Sequence, residues 1–172
     1  MPGQTAGITP SNCPFCAYAA ERRLPHVNPA LVAYRNDVAI AFPSLHQRVA
    51  NRGHFLVAPA AHHPDIYRLP PENYAGLLTA VAVVARAVRH AFDATGVTLI
   101  QNNEWDGGQD VFHMHIHVVP RRRDDGFSRG DGRWPYGLEV VPEERRLIQT
   151  AQVRANLGAP VPALPQDVDT DG

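Results

Sequence analysis

Three histidines stand at alternate positions in Phe112-His113-Met114-His115-Ile116-His117-Val118-Val119. The two-residue period of a strand sends Phe112, Met114, Ile116 and Val118 to one face and the three imidazoles to the other. The apolar face is what a core requires. A row of three imidazoles is a poor choice for a merely solvated face, because polar side chains held in a constrained row generally have partners. Imidazole is the commonest metal ligand and general base, and nine His in a chain of 172 residues exceed what packing asks for. The loop before the triad, Asp106-Gly107-Gly108-Gln109, offers glycine backbone whose N–H groups can approach a phosphate closely.

Cys13 and Cys16, two residues apart, suit a tetrahedral zinc site completed by two distant imidazoles. A redox pair is the rival reading, yet a thioredoxin-like motif follows a strand in a βαβ context, and twelve residues precede Cys13. Two Cys are too few for a disulfide framework, and MPGQTAGITPSN lacks the apolar core of a signal peptide, so a reduced, cytoplasmic protein is expected. The 16 basic residues against 17 acidic ones leave no bulk field to hold nucleic acid or an anionic membrane. Every basic residue is Arg, which excludes a Schiff-base lysine, a P-loop lysine and pyridoxal-phosphate chemistry.

Elements must position these groups. A short helix is predicted over Phe15–Arg23, a hairpin from strands Leu31–Arg35 and Asp37–Phe42 around the Asn36-Asp37 turn, a loop over Pro43–Gly53, and a strand over His54–Ala58. From Pro71 the apolar positions Tyr74, Leu77, Leu78, Val81, Val84, Val88, Ala91 and Phe92 recur at spacings of three and four, the stripe of a long core-facing helix. Strands follow at Val97–Gln101 and Val111–Val119, and an amphipathic helix at Glu143–Leu157. The longest apolar run of the chain, Leu77 to Val88, is too short and too interrupted to span a membrane. The expected organisation is a flexible N-terminus over 1–11, a folded domain over 12–123, an extension over 124–157 packed on the domain or on a dimer partner, and a disordered tail over 158–172. The Arg121–Arg123 run reads as a solvated face, with polyphosphate contact as the alternative.

His113-Met114-His115-Ile116-His117-Val118-Val119 resembles the His-φ-His-φ-His-φ-φ motif of the histidine-triad (HIT) family of nucleotide hydrolases and transferases. The resemblance extends through Cys13-Pro14-Phe15-Cys16, Ala41-Phe42, Gly53-His54-Phe55-Leu56-Val57-Ala58-Pro59, His62, Asn102-Asn103, Gly107-Gly108-Gln109 and Pro120-Arg121. It implies an α+β fold, a five-stranded antiparallel sheet with one long helix and a short N-terminal helix, commonly as a homodimer. The Cys pair points to the zinc-binding, Hint-like branch.

The chemistry implied is that of a neutral imidazole, with an unperturbed pKa near about 6.5, attacking phosphorus and leaving again from a phosphoramidate. By resemblance His115 attacks the α-phosphorus, His117 lies against the phosphate and leaving group, and His54 is a supporting imidazole. Donors for the phosphoryl oxygens are expected from the backbone of Gly108, Gln109, Asp110 and Val111 and from the Asn103 amide. The resemblance places Phe42 and Ser44 beside the nucleoside. It implies zinc ligands Cys13, Cys16, His62 and His113, with His63 the alternative to His62, and a structural ion with no open position. Water resolving the nucleotidyl-imidazole makes a hydrolase of nucleotide phosphoramidates or esters; a second phosphate makes a nucleotidyltransferase; a pocket without turnover makes a zinc-stabilised nucleotide-binding protein. The pattern departs from the family at Pro43-Ser44, where relatives place an acidic residue for the ribose hydroxyls, and at Asp110, where they have Ser, Thr or Glu.

Overall fold

The computed structural model describes residues 9–127 and 138–162; most of the expected flexible N-terminus and disordered tail lies outside the described residues. Five strands, β1 (Tyr34–Arg35), β2 (Ala39–Pro43), β4 (Phe55–Pro59), β5 (Gly96–Gln101) and β6 (Ile116–Arg121), form one antiparallel sheet in the order β1-β2-β4-β6-β5. Between β2 and β4, β3 (His46–Arg48) leaves this sheet and pairs with β7 (Leu138–Val140). The expectation of an unstructured loop over Pro43–Gly53 is corrected by that ribbon, whose partner strand lies some ninety residues on and leaves no trace in local sequence. The short helix is α1 (Pro14–Ala19), ending earlier than predicted because the chain turns at Glu21 with φ of 54°. β1 is two residues long, because Pro29–Leu31 forms a 3-10 turn closed by Asn28, whose side chain accepts from the Ala30 N–H.

Alternation along β2 and β4 gives the sheet two buried faces. Ala39, Ala41, Phe55 and Val57 face the long helix α2 (Tyr74–Ala91), while Ile40, Phe42, Leu56 and Ala58 face α1 through Phe15 and Tyr18. On α2 the buried stripe is Leu77, Ala80, Val81, Val84, Ala87 and Val88, whereas Tyr74 and Leu78 point outward. The small Ala80 and Ala87 let the helix lie close to the sheet, and Leu78 falls outside that arc. A third helix, α3 (Glu143–Ala155), packs on α2, β2 and the Pro29–Leu31 turn.

The triad segment is strand only from Ile116. Before it, the Met114 N–H donates to the His63 carbonyl at 2.6 Å and the His113 N–H to the Val111 carbonyl at 2.8 Å, so residues 111–115 turn toward the 60s loop instead of continuing the ladder on β4. The alternation survives without the ladder: Met114, Ile116 and Val118 contribute to the α2-side core, while His113, His115 and His117 are all buried.

The Arg121–Arg123 run is only in part a solvated face. The Arg121 guanidinium grips Asp125 at 2.7 and 2.8 Å, donates to the Thr98 hydroxyl at 2.9 Å and lies 3.8 Å over the Phe127 ring. Those donors, with the Arg122 and Phe127 N–H groups and the Asn51 amide, hold the Asp125 carboxyl well below the usual range. Arg122 donates to the carbonyls of Phe92 and Ala50, tying the end of α2 to the β3–β4 connection. Arg123 alone is exposed.

Candidate active site and metal centre

Register builds the site. His117 on β6 lies directly across from Leu56 on β4, and cross-strand partners share a face, so His117 points to the α1 side. His54, two residues before Leu56, points the same way, and its Nε2 lies 3.0 Å from His117 Nδ1. Gly53 delivers His54 to this position. Its φ of 97° suits glycine, and a methyl there would collide with the Phe92 ring. The His46 carbonyl faces the His54 ring from the far side and works against burial, which pushes the His54 imidazole down to about 3. Burial, then the His54 and His115 rings, push His117 down to about 2. The pair is neutral at pH 7.

His115 lies two residues before His117, its ring centroid 4.8 Å from that of His117 and 5.1 Å from Phe15, which meets it edge-on. Its Nδ1 is 2.8 Å from the His113 carbonyl. A carbonyl only accepts, so Nδ1 carries the proton and Nε2 carries the lone pair. Burial lowers the pKa of His115, with the His113 carbonyl and Asp110 acting in the opposite direction.

Behind the triad, Cys13 Sγ, Cys16 Sγ, a His62 nitrogen and a His113 nitrogen all lie within 4.8 Å of one another. His113 Nδ1 is 3.3 Å from Cys13 Sγ and 3.5 Å from Cys16 Sγ, and His62 Nδ1 is 3.4 Å from Cys16 Sγ. A tetrahedral ion with Zn–S of about 2.3 Å and Zn–N of about 2.05 Å sets its sulfur and nitrogen ligands about 3.5 Å apart, so these edges fit. His113 Nε2 lies 2.9 Å from the Pro59 carbonyl and must donate to it, which turns the lone pair of Nδ1 toward the sulfurs. Burial and the adjacent Cys13 push the Cys16 thiol up to about 12, so the group keeps its proton at neutral pH. Of the two adjacent imidazoles, His62 joins the cluster. His63 holds the triad by its backbone carbonyl instead.

The remaining residues singled out by sequence serve the frame around the triad. Asn103 Oδ1 accepts from the Ile66 N–H at 2.9 Å and Nδ2 donates to Gln101 Oε1 at 2.7 Å, clamping the 102–110 loop to the 64–68 turn. Buried Gln109 accepts from the Glu104 N–H and donates to the Pro64 and Val111 carbonyls. The Gly108 and Gln109 N–H groups bond within the loop to Trp105 and Glu104, while Asp110 is exposed at its end and Val111 half-buried. Gly107 is needed because a Cβ there would strike the Asn103 carbonyl. Phe42 is 2% exposed, stacked on Tyr18 with ring centroids 4.2 Å apart. Ser44 is buried, its hydroxyl donating to the His46 carbonyl at 2.8 Å. Sequence reasoning missed the carbonyls of Pro59, His113 and His46, which leave no trace in residue type. Phe15 was available in the Cys-Pro-Phe-Cys segment.

Three buried imidazoles at alternate positions leading into a sheet strand, beside a two-Cys, two-His cluster, define a class, and comparison with known proteins agrees: the HIT domain model matches residues 26–124, and the chain belongs to that family. It is 33% identical to the protein hit of Bacillus subtilis over 70% of this chain and 75% of that one. It is 26% identical to an adenylylsulfatase of Arabidopsis thaliana over 80% of this chain and 66% of that one. A Zn-bound histidine triad family protein from Mycobacterium smegmatis superposes with a TM-score of 0.67 at 30% identity, over 87% of this chain and 96% of that one.

Proposed function

We propose that this protein hydrolyses nucleotide phosphoramidates or related nucleotide esters through a nucleotidyl-His115 intermediate. One observation carries the reading. The 2.8 Å contact of His115 Nδ1 with the His113 carbonyl fixes the tautomer, so that an unprotonated Nε2 is available at pH 7. Nε2 attacks the α-phosphorus, and the bond to the leaving amine or alcohol breaks as that group takes the proton held by His117. Water then attacks the same phosphorus and gives its proton to the now neutral His117, the P–Nε2 bond breaks, and the His115 imidazole returns to its neutral form with release of the nucleoside monophosphate. His117 lies against the phosphoryl group, and an arriving phosphate anion raises its pKa from the low value that burial imposes, so that it can hold a proton. His54 fixes the orientation of His117 through the 3.0 Å contact. Asp110 and Val111 supply the phosphate side of the pocket, with Asn103, Gly108 and Gln109 holding the loop's shape; buried Phe42 and Ser44 back its nucleoside end.

Cys13, Cys16, His62 and His113 fit a zinc ion by donor set and spacing. Held by these four side chains, the ion would cross-link the N-terminal segment to the triad and would offer no position for water. The Arabidopsis adenylylsulfatase is a nucleotide-cleaving relative, which supports turnover over simple binding.

The experiment incubates pure protein with adenosine 5′-phosphoramidate, quenches in alkali and seeks an acid-labile nucleotidyl-histidine by mass. His115→Ala abolishes the adduct and keeps the fold. Near wild-type turnover by His115→Ala overturns the proposal, and an adduct discharged by inorganic phosphate but not by water makes the protein a transferase.

A further inference from the structure

The C-terminal helix α3 belongs to neither the triad nor the Cys/His cluster, yet it reaches the loop that carries His54. Gln149 on α3 and Gln47 on β3, 102 residues apart, are 4% and 1% exposed and face each other with reciprocal amide bonds. Gln47 Nε2 donates to Gln149 Oε1 at 2.9 Å, and Gln149 Nε2 donates to Gln47 Oε1 at 3.0 Å. The second Nε2 hydrogen of Gln47 goes to the Ser44 carbonyl at 3.0 Å, and its second Oε1 lone pair receives the Gly53 N–H at 2.9 Å. One side chain thus closes both ends of the 44–53 loop and is saturated with four bonds, two of them to α3. The Ser44 N–H in turn donates to the His54 carbonyl at 2.9 Å. Removing Gln149 leaves a buried donor and a buried acceptor of Gln47 unmatched, and an amide left so rotates to seek other partners.

We propose that Gln149 is a positioning residue for the His54–His117 pair, acting through Gln47 and the 44–53 loop, so that the C-terminal helix is part of the catalytic apparatus. This rests on the reading that His117 works at the phosphoryl group. Loss of the clamp lets the loop shift by fractions of an ångström. Contacts made in the transition state are the most sensitive to such a shift.

The test compares Gln149→Leu with Arg154→Ala. Arg154 lies on the same helix and donates to the Ala30 and Val32 carbonyls, so its loss loosens α3 without touching the amide pair. Imidazole 15N shifts report the tautomers of His54 and His117, amide hydrogen exchange reports Gly53 and Ser44, and steady-state kinetics separate kcat from KM. Gln149→Leu is expected to average the His54 and His117 signals, speed exchange at Gly53 and Ser44 by about tenfold or more, and lower kcat about tenfold with KM changed less than about threefold. Arg154→Ala leaves the imidazole shifts and kcat at wild-type values. Gln149→Glu keeps the acceptor and loses the donor, and gives an intermediate result; it serves in place of Gln149→Leu where that variant does not fold. Wild-type imidazole shifts and wild-type loop exchange in the Gln149 variants overturn the proposal, as does an equal response to Arg154→Ala. The spectroscopic arms need no turnover, so failure of the hydrolase reading registers separately, as absence of product from the wild type.

Discussion

Acid should destabilise this protein through the His54–His117 pair. Burial leads the causes that push the two imidazoles down to about 3 and about 2, whereas in the unfolded chain each titrates near about 6.5. The folded state therefore binds no proton at either site in the window where the unfolded chain takes up both. Stability from the neutral pair is complete above about pH 6.5, and it is lost as pH falls toward the folded values. The slope in this window approaches 1.36 kcal/mol per pH unit for each imidazole, so from pH 7.5 to 5.5 each costs about 1.4 kcal/mol and the pair about 3 kcal/mol. The figure is insensitive to how low the folded values lie, since both sit well below pH 5.5. Urea unfolding of wild type and of His54→Gln/His117→Gln at the two pH values isolates the effect, because every other titrating group, the Cys/His cluster included, cancels in the difference of differences. The double variant should lose about 3 kcal/mol less than wild type. Equal losses would show that the pair is hydrated or protonated in the folded state and that the inference from burial is wrong.

Three further outcomes follow from the geometry. Freshly reduced protein should carry about one zinc per chain by elemental analysis; Cys16→Ala should lose the ion and unfold at lower urea while still forming the His115 adduct where folded, and metal uptake should release the Cys16 proton into a pH indicator. Ribose and deoxyribose substrates should differ less than about tenfold in kcat/KM, about one neutral hydrogen bond, since the Ser44 hydroxyl is already donated to the His46 carbonyl; a ratio of a thousand would place an unrecognised acidic group at the ribose. Gly53→Ala should cost about 3 kcal/mol or more in unfolding free energy, because it combines a positive φ with collision against Phe92, and a wild-type melting temperature would contradict that.

The triad and the Cys pair were legible because their chemistry is written in residue type at short spacing, and α2 because its stripe repeats over eighteen residues. What stayed hidden depends on partners far along the chain. The β3–β7 pairing and the Gln47–Gln149 amide bonds join segments about a hundred residues apart, and glutamine carries no periodic signal. The late start of β6 was hidden for another reason. Alternation is a property of side chains, and it persisted through residues 111–115 after the backbone had left the ladder to bond with Val111 and His63. The arginine run misled because charge runs face solvent in most chains, while here Thr98, Asp125 and Phe127 surround Arg121.

His113 has two ends with separate duties: its ring completes the Cys/His cluster, and its carbonyl holds the proton of His115. The carbonyl is present whatever side chain is attached, and the backbone there is held independently by Val111 and His63. The proposed metal binding and the proposed alignment of His115 as nucleophile are therefore separable by mutation, even though they share a residue. A descendant or a redesign that filled the space of Cys13, Cys16, His62 and the His113 ring with well-packed apolar side chains would need no ion there and would keep the tautomer of His115. The cluster is thus an exchangeable means of cross-linking, open to replacement by ordinary packing, whereas the peptide oxygen at position 113 is not.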